Sequence, residues 1–249
     1  MSSSTVTAAV LVIGDEILSG RTKDRNIGYI AEYLARIGVE LREARVVPDD
    51  QDEIVAALNA LRARYDYVFT TGGIGPTHDD ITADAVAKAF GVAIGEDERA
   101  LAAMMERYAP ADLTPARRRM ARIPAGADLI DNPISKAPGF RLGNVIVMAG
   151  VPSVMQAMLD HAVKGVKGGA LMLTATVSAD NLPEGRYGDA LGEIAKARPA
   201  VSIGSYPSFS DGRFRNQIVV RSKDAAALEE AKAAVEAMLA RLQADPAPL

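Results

Sequence analysis

Cysteine is absent from this 249-residue chain, which excludes disulfides, thiolate metal sites and a cysteine nucleophile. Histidine is scarce, with only His78 and His161, and no zinc site of the HExxH type is present. Charge of one sign is not in excess. Lys and Arg number 28 against 32 Asp and Glu, a net −4, so nothing indicates a general polyanion binder. No apolar run approaches the length of a membrane span, and the opening MSSSTVTAAVLVIGDE lacks the basic region of a signal peptide. A soluble cytoplasmic protein is expected. What is present is a hydrophobic content of 49% and a charged content of 24%, normal for a chain that buries a core. The length suits one large domain or two ordinary ones.

The first half alternates strand and helix patterns. TAAVLVIG, ELREARVVPDD and YDYVFTTGG read as strands; NIGYIAEYLARIG, QDEIVAALNALRAR and ADAVAKAF read as helices, two of them closed by glycine. A helical stretch is expected from about Glu96 to Arg122, then a Pro, Gly and Asn-rich loop, the strand GNVIVMAGVP and the helix SVMQAMLDHAV. This order predicts an α/β fold, a mostly parallel sheet flanked by helices. The small and polar run KGVKGGA marks a boundary, giving domains 1–169 and 170–249. The second reads β-α-β-β-α, a small α+β unit, with a frayed tail QADPAPL.

Ligands of open α/β sheets bind outside the carboxyl ends of the strands. Three predicted strands end in acidic or glycine-rich turns: Gly14-Asp15-Glu16, Pro48-Asp49-Asp50 and TTGGIGPTHDD. Gly72, Gly73 and Gly75 allow positive φ and close backbone approach, so their amides can point at an anion in front of a helix N-terminus. Carboxylates beside a phosphate repel it unless a divalent cation lies between, and magnesium is the usual solution. Structural readings stand beside this one. Thr77 and Asp80 fit a helix capping box, and Asp79 fits a first helical turn.

TGGIGPTHDDITADAVAKAFG resembles the signature of MogA/MoaB-type molybdopterin-binding domains. With GDEILSGRTKDRNIGYIAEYLARIGVE, VVPDDQDEI, NPISKAPGF and MAGVPSVMQAML in that order, residues 6 to 165 resemble the CinA (competence/damage-inducible protein) family more closely still. The resemblance implies a MogA/MoaB-like fold followed by a small KH-like domain, without the amidohydrolase domain that many CinA proteins carry afterwards. Asp15, Asn26, Asp49, Gly72, Gly73, Gly75 and Asp80 match family positions, and Asp79 matches the CinA branch. In MogA-like proteins the aspartates matching Asp49 and Asp80 serve magnesium-dependent adenylyl transfer to molybdopterin. In the CinA branch the pocket is associated with hydrolysis of the pyrophosphate bond of ADP-ribose, and in eukaryotic relatives of FAD. Lys136, Ala149, Val154, Arg117 and Arg119 depart from the bacterial CinA pattern and resemble the variant fused to flavin-adenylating enzymes.

The expected function is a magnesium-dependent pyrophosphatase of nucleotide diphosphates, with another divalent ion or potassium as alternatives. Asp49 and Asp80 are the expected catalytic residues, and Asp15, Asp49, Asp79 and Asp80 the expected metal ligands. Gly14, Asn26, Thr71, Gly72, Gly73, Gly75 and Lys136 are the expected substrate contacts. A molybdopterin-binding protein or adenylyltransferase, and a non-catalytic nucleotide-sensing module, are the alternatives. A homo-oligomer binding a nucleotide or pterin is expected, with no nucleic-acid or membrane partner. His78 beside the phosphate site is a polar loop residue or a proton carrier. Arg117, Arg118, Arg119 and Arg122 form a solvated helix face or reach ligand phosphates. Met104, Met105, Met155 and Met158 read as core filler. The GxxG of EGRYG, in a half with nine Lys and Arg against ten Asp and Glu, reads as structural rather than RNA-gripping.

Overall fold

The computed structural model describes residues 5–210 and 212–244; all but the first two residues of the tail QADPAPL lie outside them. The chain divides into two compact units, Met1–Gly169 and Ala170–Leu249.

In the first unit, β1 (Val6–Ile13) leads through the short α1 (Asp15–Leu18) to α2 (Asn26–Arg36) and β2 (Val39–Val47). Next come α3 (Gln51–Arg64), β3 (Tyr67–Thr71), α4 (Thr82–Phe90), β4 (Ile94–Glu96) and α5 (Glu98–Met105). After them lie α6 (Pro115–Arg119), β5 (Arg122–Pro124), β6 (Asp128–Ile130), β7 (Gly139–Leu142), β8 (Val145–Met148) and α7 (Pro152–Ala162). The main sheet runs β2-β1-β3-β8-β7-β6. β2, β1, β3 and β8 are mutually parallel, while β7 and β6 are antiparallel, so the sheet is mixed. β1 is central and buried from Ala8 to Ile13, as a strand covered on both faces must be. One face packs Leu58, Leu61, Val86 and Met104 over it, and the other packs Ile30, Leu34, Met155 and Met158. Met105 is exposed rather than core filler.

The continuous helix expected from Glu96 to Arg122 is broken. Pro110 starts a single 3-10 turn and Pro115 starts α6, because proline supplies no N–H to a preceding turn. Glu96 and Arg122 instead pair across the antiparallel β4–β5 ladder. α2 and α4 end where predicted, before Gly38 and at Gly91, both with positive φ.

The second unit holds β9 (Leu173–Asp180), α8 (Glu184–Lys196), β10 (Ser202–Tyr206), β11 (Phe209–Ser210), β12 (Arg213–Ser222) and α9 (Ala225–Ala244). β12 is the antiparallel centre, with β9, β10 and the short β11 as partners. Ile218, Val220, Val235 and Met238 lie in its core. The GxxG lies in the first turns of α8 with Tyr187 buried between its glycines, so it is helix and not a clamp loop. Among the described residues, no helix is long and apolar enough to cross a membrane.

Candidate functional site

Parallel pairing brings the carboxyl ends of β1, β2, β3 and β8 to one edge of the sheet. The chain leaves β1 towards β2 on one side and β3 towards β8 on the other, so the crevice between β1 and β3 is a topological switch point. A cavity of about 340 Å³ opens there, lined by Glu16, the loop 72–75, Asp80, Asn132 and Ser135, and by 149–151 with Val154. Its size is that of a small-molecule pocket.

The glycine loop is held by its own bonds. The Gly72 N–H donates to the Met148 carbonyl, and the buried Thr82 hydroxyl donates to the Gly72 carbonyl at 2.9 Å. A Cβ on Gly72 or Gly73 would sit closer than 3.0 Å to the Ile13 carbonyl or the Thr82 hydroxyl, so neither position admits a side chain. Asp80 accepts from the Gly75 N–H at 2.6 Å, the Thr77 N–H at 2.8 Å and the Thr77 hydroxyl at 2.5 Å. The capping-box reading is therefore corrected. The helix begins at Thr82 with Ile81 as N-cap, Asp84 is the acidic residue of its first turn, and Asp80 pins the loop instead. Asp79 precedes the helix and is exposed. Among the described residues, the N–H groups of Gly73 and Ile74 have no protein partner, whereas those of Gly72 and Gly75 are taken. The expected three-glycine amide cradle thus narrows to Gly73 and its neighbour Ile74. The α7 N-terminus adds a positive end to the same space, since Val151 and Val154 of its first turn line the cavity.

The two aspartates after β2 do different work. Asp50 caps α3, accepting from the Asp52 and Glu53 N–H groups. Asp49 accepts the Asp15 N–H on Oδ2 at 2.9 Å. Burial pushes the Asp49 carboxyl above the usual carboxylate range, and the charges of Asp15, Glu16 and Asp79 add to that. Asn26 is buried; its Nδ2 donates to the Gly150 carbonyl at 2.8 Å, while its Oδ1 has no partner among the described residues. The buried Thr71 hydroxyl at the end of β3 is likewise unpartnered. Gly14 donates its N–H to Val47 and does not line the cavity.

The expected metal ligands and Lys136 are placed as follows. Among the described residues, no three acidic or histidine side chains stand close enough to hold a metal by themselves. Lys136 does not face the cavity: its ammonium pairs with Glu106 at 2.6 Å, and that pairing raises its pKa. His78 is exposed, 3.9 Å from Asp79. Of the arginines, Arg117 stacks on Tyr108, Arg118 pairs with Glu96 and Arg122 pairs with Asp84.

Sequence reasoning missed Asn132 and Ser135 as cavity residues. Asn132 is 2% exposed and organises its loop. Its Nδ2 donates to the Ser135 hydroxyl and the Ala137 carbonyl at 2.6 and 2.8 Å, and its Oδ1 accepts from the Ile134 and Ser135 N–H groups. Asn132→Ala removes all of these and is expected to cost roughly 2–3 kcal/mol. Urea unfolding checks this, and an unchanged midpoint would contradict it.

The family profile described as "Probable molybdopterin binding domain" matches residues 9–167, and that of "FAD synthase, middle domain" matches residues 172–246. A protein of Pyrobaculum arsenaticum is 35% identical over 210 residues, covering 80% of this chain and 79% of its own. A CinA-like protein of Geobacter sulfurreducens is 34% identical over 230 residues, 88% of this chain, which spans 56% of that relative. A Thermoplasma acidophilum protein, Ta0487, is 40% identical, and the match covers 64% of each chain. The crystal structure of a CinA of unknown function from Thermoplasma acidophilum superposes with a TM-score of 0.60 at 41% identity, covering 65% of this chain and 98% of that one. The chain belongs to the molybdopterin-binding-domain family, with CinA-like proteins among its relatives and a C-terminal unit of the FAD synthase middle-domain type.

Proposed function

We propose that this protein is a divalent-cation-dependent pyrophosphatase of nucleotide diphosphates, with ADP-ribose and FAD as the candidate substrates. The observation that carries the reading is a pair of loop amides, Gly73 and Ile74, without a partner among the described residues, in a cavity that Glu16 also lines, with Asp15, Glu16 and Asp79 near enough to Asp49 to raise its pKa. Amides and a helix N-terminus suit phosphate oxygens. Like-charged carboxylates next to that phosphate call for a cation.

The donor set fits magnesium. It consists of hard carboxylate oxygens and contains no thiolate. Magnesium commonly takes one or two protein carboxylates and completes its shell with water and phosphate, so a three-residue cage is not required. Asp15 would hold it, with Glu16 at the cavity wall, which leaves Asp49 as the base. When bound, the ion supplies charge neutralisation at the phosphate and acidifies a water. The Gly73 and Ile74 amides bind phosphate oxygens and orient the diphosphate. Asp80 positions those amides by clamping the loop. Asp49, with Oδ2 engaged by the Asp15 N–H, keeps Oδ1 to accept a proton from water. Water adds to one phosphorus, the bridging P–O bond breaks, and AMP leaves with ribose 5-phosphate or FMN.

The match of residues 172–246 to an FAD synthase middle domain supports a flavin or adenine dinucleotide over a pterin. The C-terminal unit takes no nucleic-acid role in this reading, since its GxxG is helical. Chromatography of reactions with ADP-ribose or FAD as sole substrate tests the proposal, and AMP release without molybdopterin or ATP is expected. No release from either, with tight molybdopterin binding, would favour the molybdopterin function that the family description names.

A further inference from the structure

A second cavity of about 20 Å³, room for one water-sized group, shares Gly73, Ile74, Gly75, Asp80 and Met120 with the large one. Its charged lining is Asp80, Asp84, Arg119 and Arg122. Three of these are committed. Asp80 takes the donors of its own loop, and both Asp84 oxygens hold Arg122 at 2.7 and 2.9 Å. Arg119 is different. Among the described residues its side chain makes no hydrogen bond or ion pair, and its Nε is buried with no partner. The other arginines of the run are occupied: Arg117 donates to the Asp112 carbonyl, and Arg118 donates to Glu96. A guanidinium nitrogen shut away from water without an acceptor is unfavourable, and buried polar groups are rarely left so. An anion arriving with the ligand supplies the missing acceptor. The free Gly73 amide on the shared wall faces the same need.

We propose that Arg119 is a substrate-positioning residue that donates to a phosphate oxygen of the ligand, with the small cavity admitting that oxygen. The inference rests on the phosphate-site reading above and deepens it. Arg119 makes the site selective for phosphate esters and diphosphates over the uncharged nucleoside.

The test is calorimetric binding of α,β-methylene-ADP, a diphosphate that cannot be cleaved at its bridge, to the full chain with magnesium, with adenosine as the uncharged comparison. Wild-type protein is expected to prefer the diphosphate. Arg119→Gln should weaken that ligand about 10- to 100-fold, the range of one charge-assisted hydrogen bond, and leave adenosine unchanged. Arg118→Gln should alter neither. Should Arg119→Gln fail to fold, Arg119→Met, which keeps an apolar stem, carries the same comparison. Equal diphosphate affinity in wild-type and Arg119-substituted protein overturns the proposal while leaving the phosphate site in place. No binding of the diphosphate by wild-type protein overturns both.

Discussion

Asp80→Asn is expected to lower the melting temperature by roughly 5 °C and turnover by about 10²-fold. The carboxylate accepts three donors, the Gly75 N–H on Oδ1 and the Thr77 N–H and hydroxyl on Oδ2. Asparagine keeps one oxygen and places an NH₂ against a donor, so at least one bond becomes a clash of donors. A capping residue would behave otherwise, because asparagine caps a helix about as well as aspartate. Loosening the loop moves the Gly73 and Ile74 amides, which links the stability loss to the turnover loss. Thermal unfolding by circular dichroism and an initial-rate assay measure the two. Near-normal values of both would show that the carboxylate does not organise the loop.

Gly72→Ala should destabilise the protein by more than about 3 kcal/mol, whereas Gly91→Ala should cost about 1 kcal/mol. Both glycines have positive φ, 106° at Gly72 and 67° at Gly91. The difference lies in space. A Cβ on Gly91 would meet nothing within 4 Å, so only the left-handed conformation is penalised. On Gly72 it would run into the carbonyl of Ile13, a backbone atom of the central strand that cannot give way. Urea unfolding followed by circular dichroism separates the two variants. Equal costs would mean that the crevice between β1 and β3 has room the structure denies.

The strand–helix alternation and the acidic and glycine-rich turns were legible because burial periodicity and turn chemistry are local. The antiparallel β7 and β6 were not. Their strands are short, and their pairing partners are set by a loop whose organiser, Asn132, looks in sequence like any turn asparagine. Thr77 and Asp80 show a second limit. Spacing of three residues serves a capping box and a pinned loop equally, and only the first helical turn, at Thr82, distinguishes them. The arginine run shows a third. Four identical side chains in six residues find a tyrosine ring, two different carboxylates and, for Arg119, no partner among the described residues. Composition carries no information about which is which. The ion-pair partner of Lys136 is hidden for the same reason, as Glu106 lies thirty residues away in sequence.

The central claim is cleavage of a pyrophosphate bond that depends on a divalent cation. It is tested most directly by following ADP-ribose with ³¹P nuclear magnetic resonance, using protein stripped of metal. The account predicts an unchanged diphosphate signal in excess chelator, and its replacement by two phosphomonoester signals, AMP and ribose 5-phosphate, once magnesium is added in excess. Full cleavage in the presence of chelator would contradict it, as would a diphosphate signal that persists with magnesium and manganese alike for both ADP-ribose and FAD.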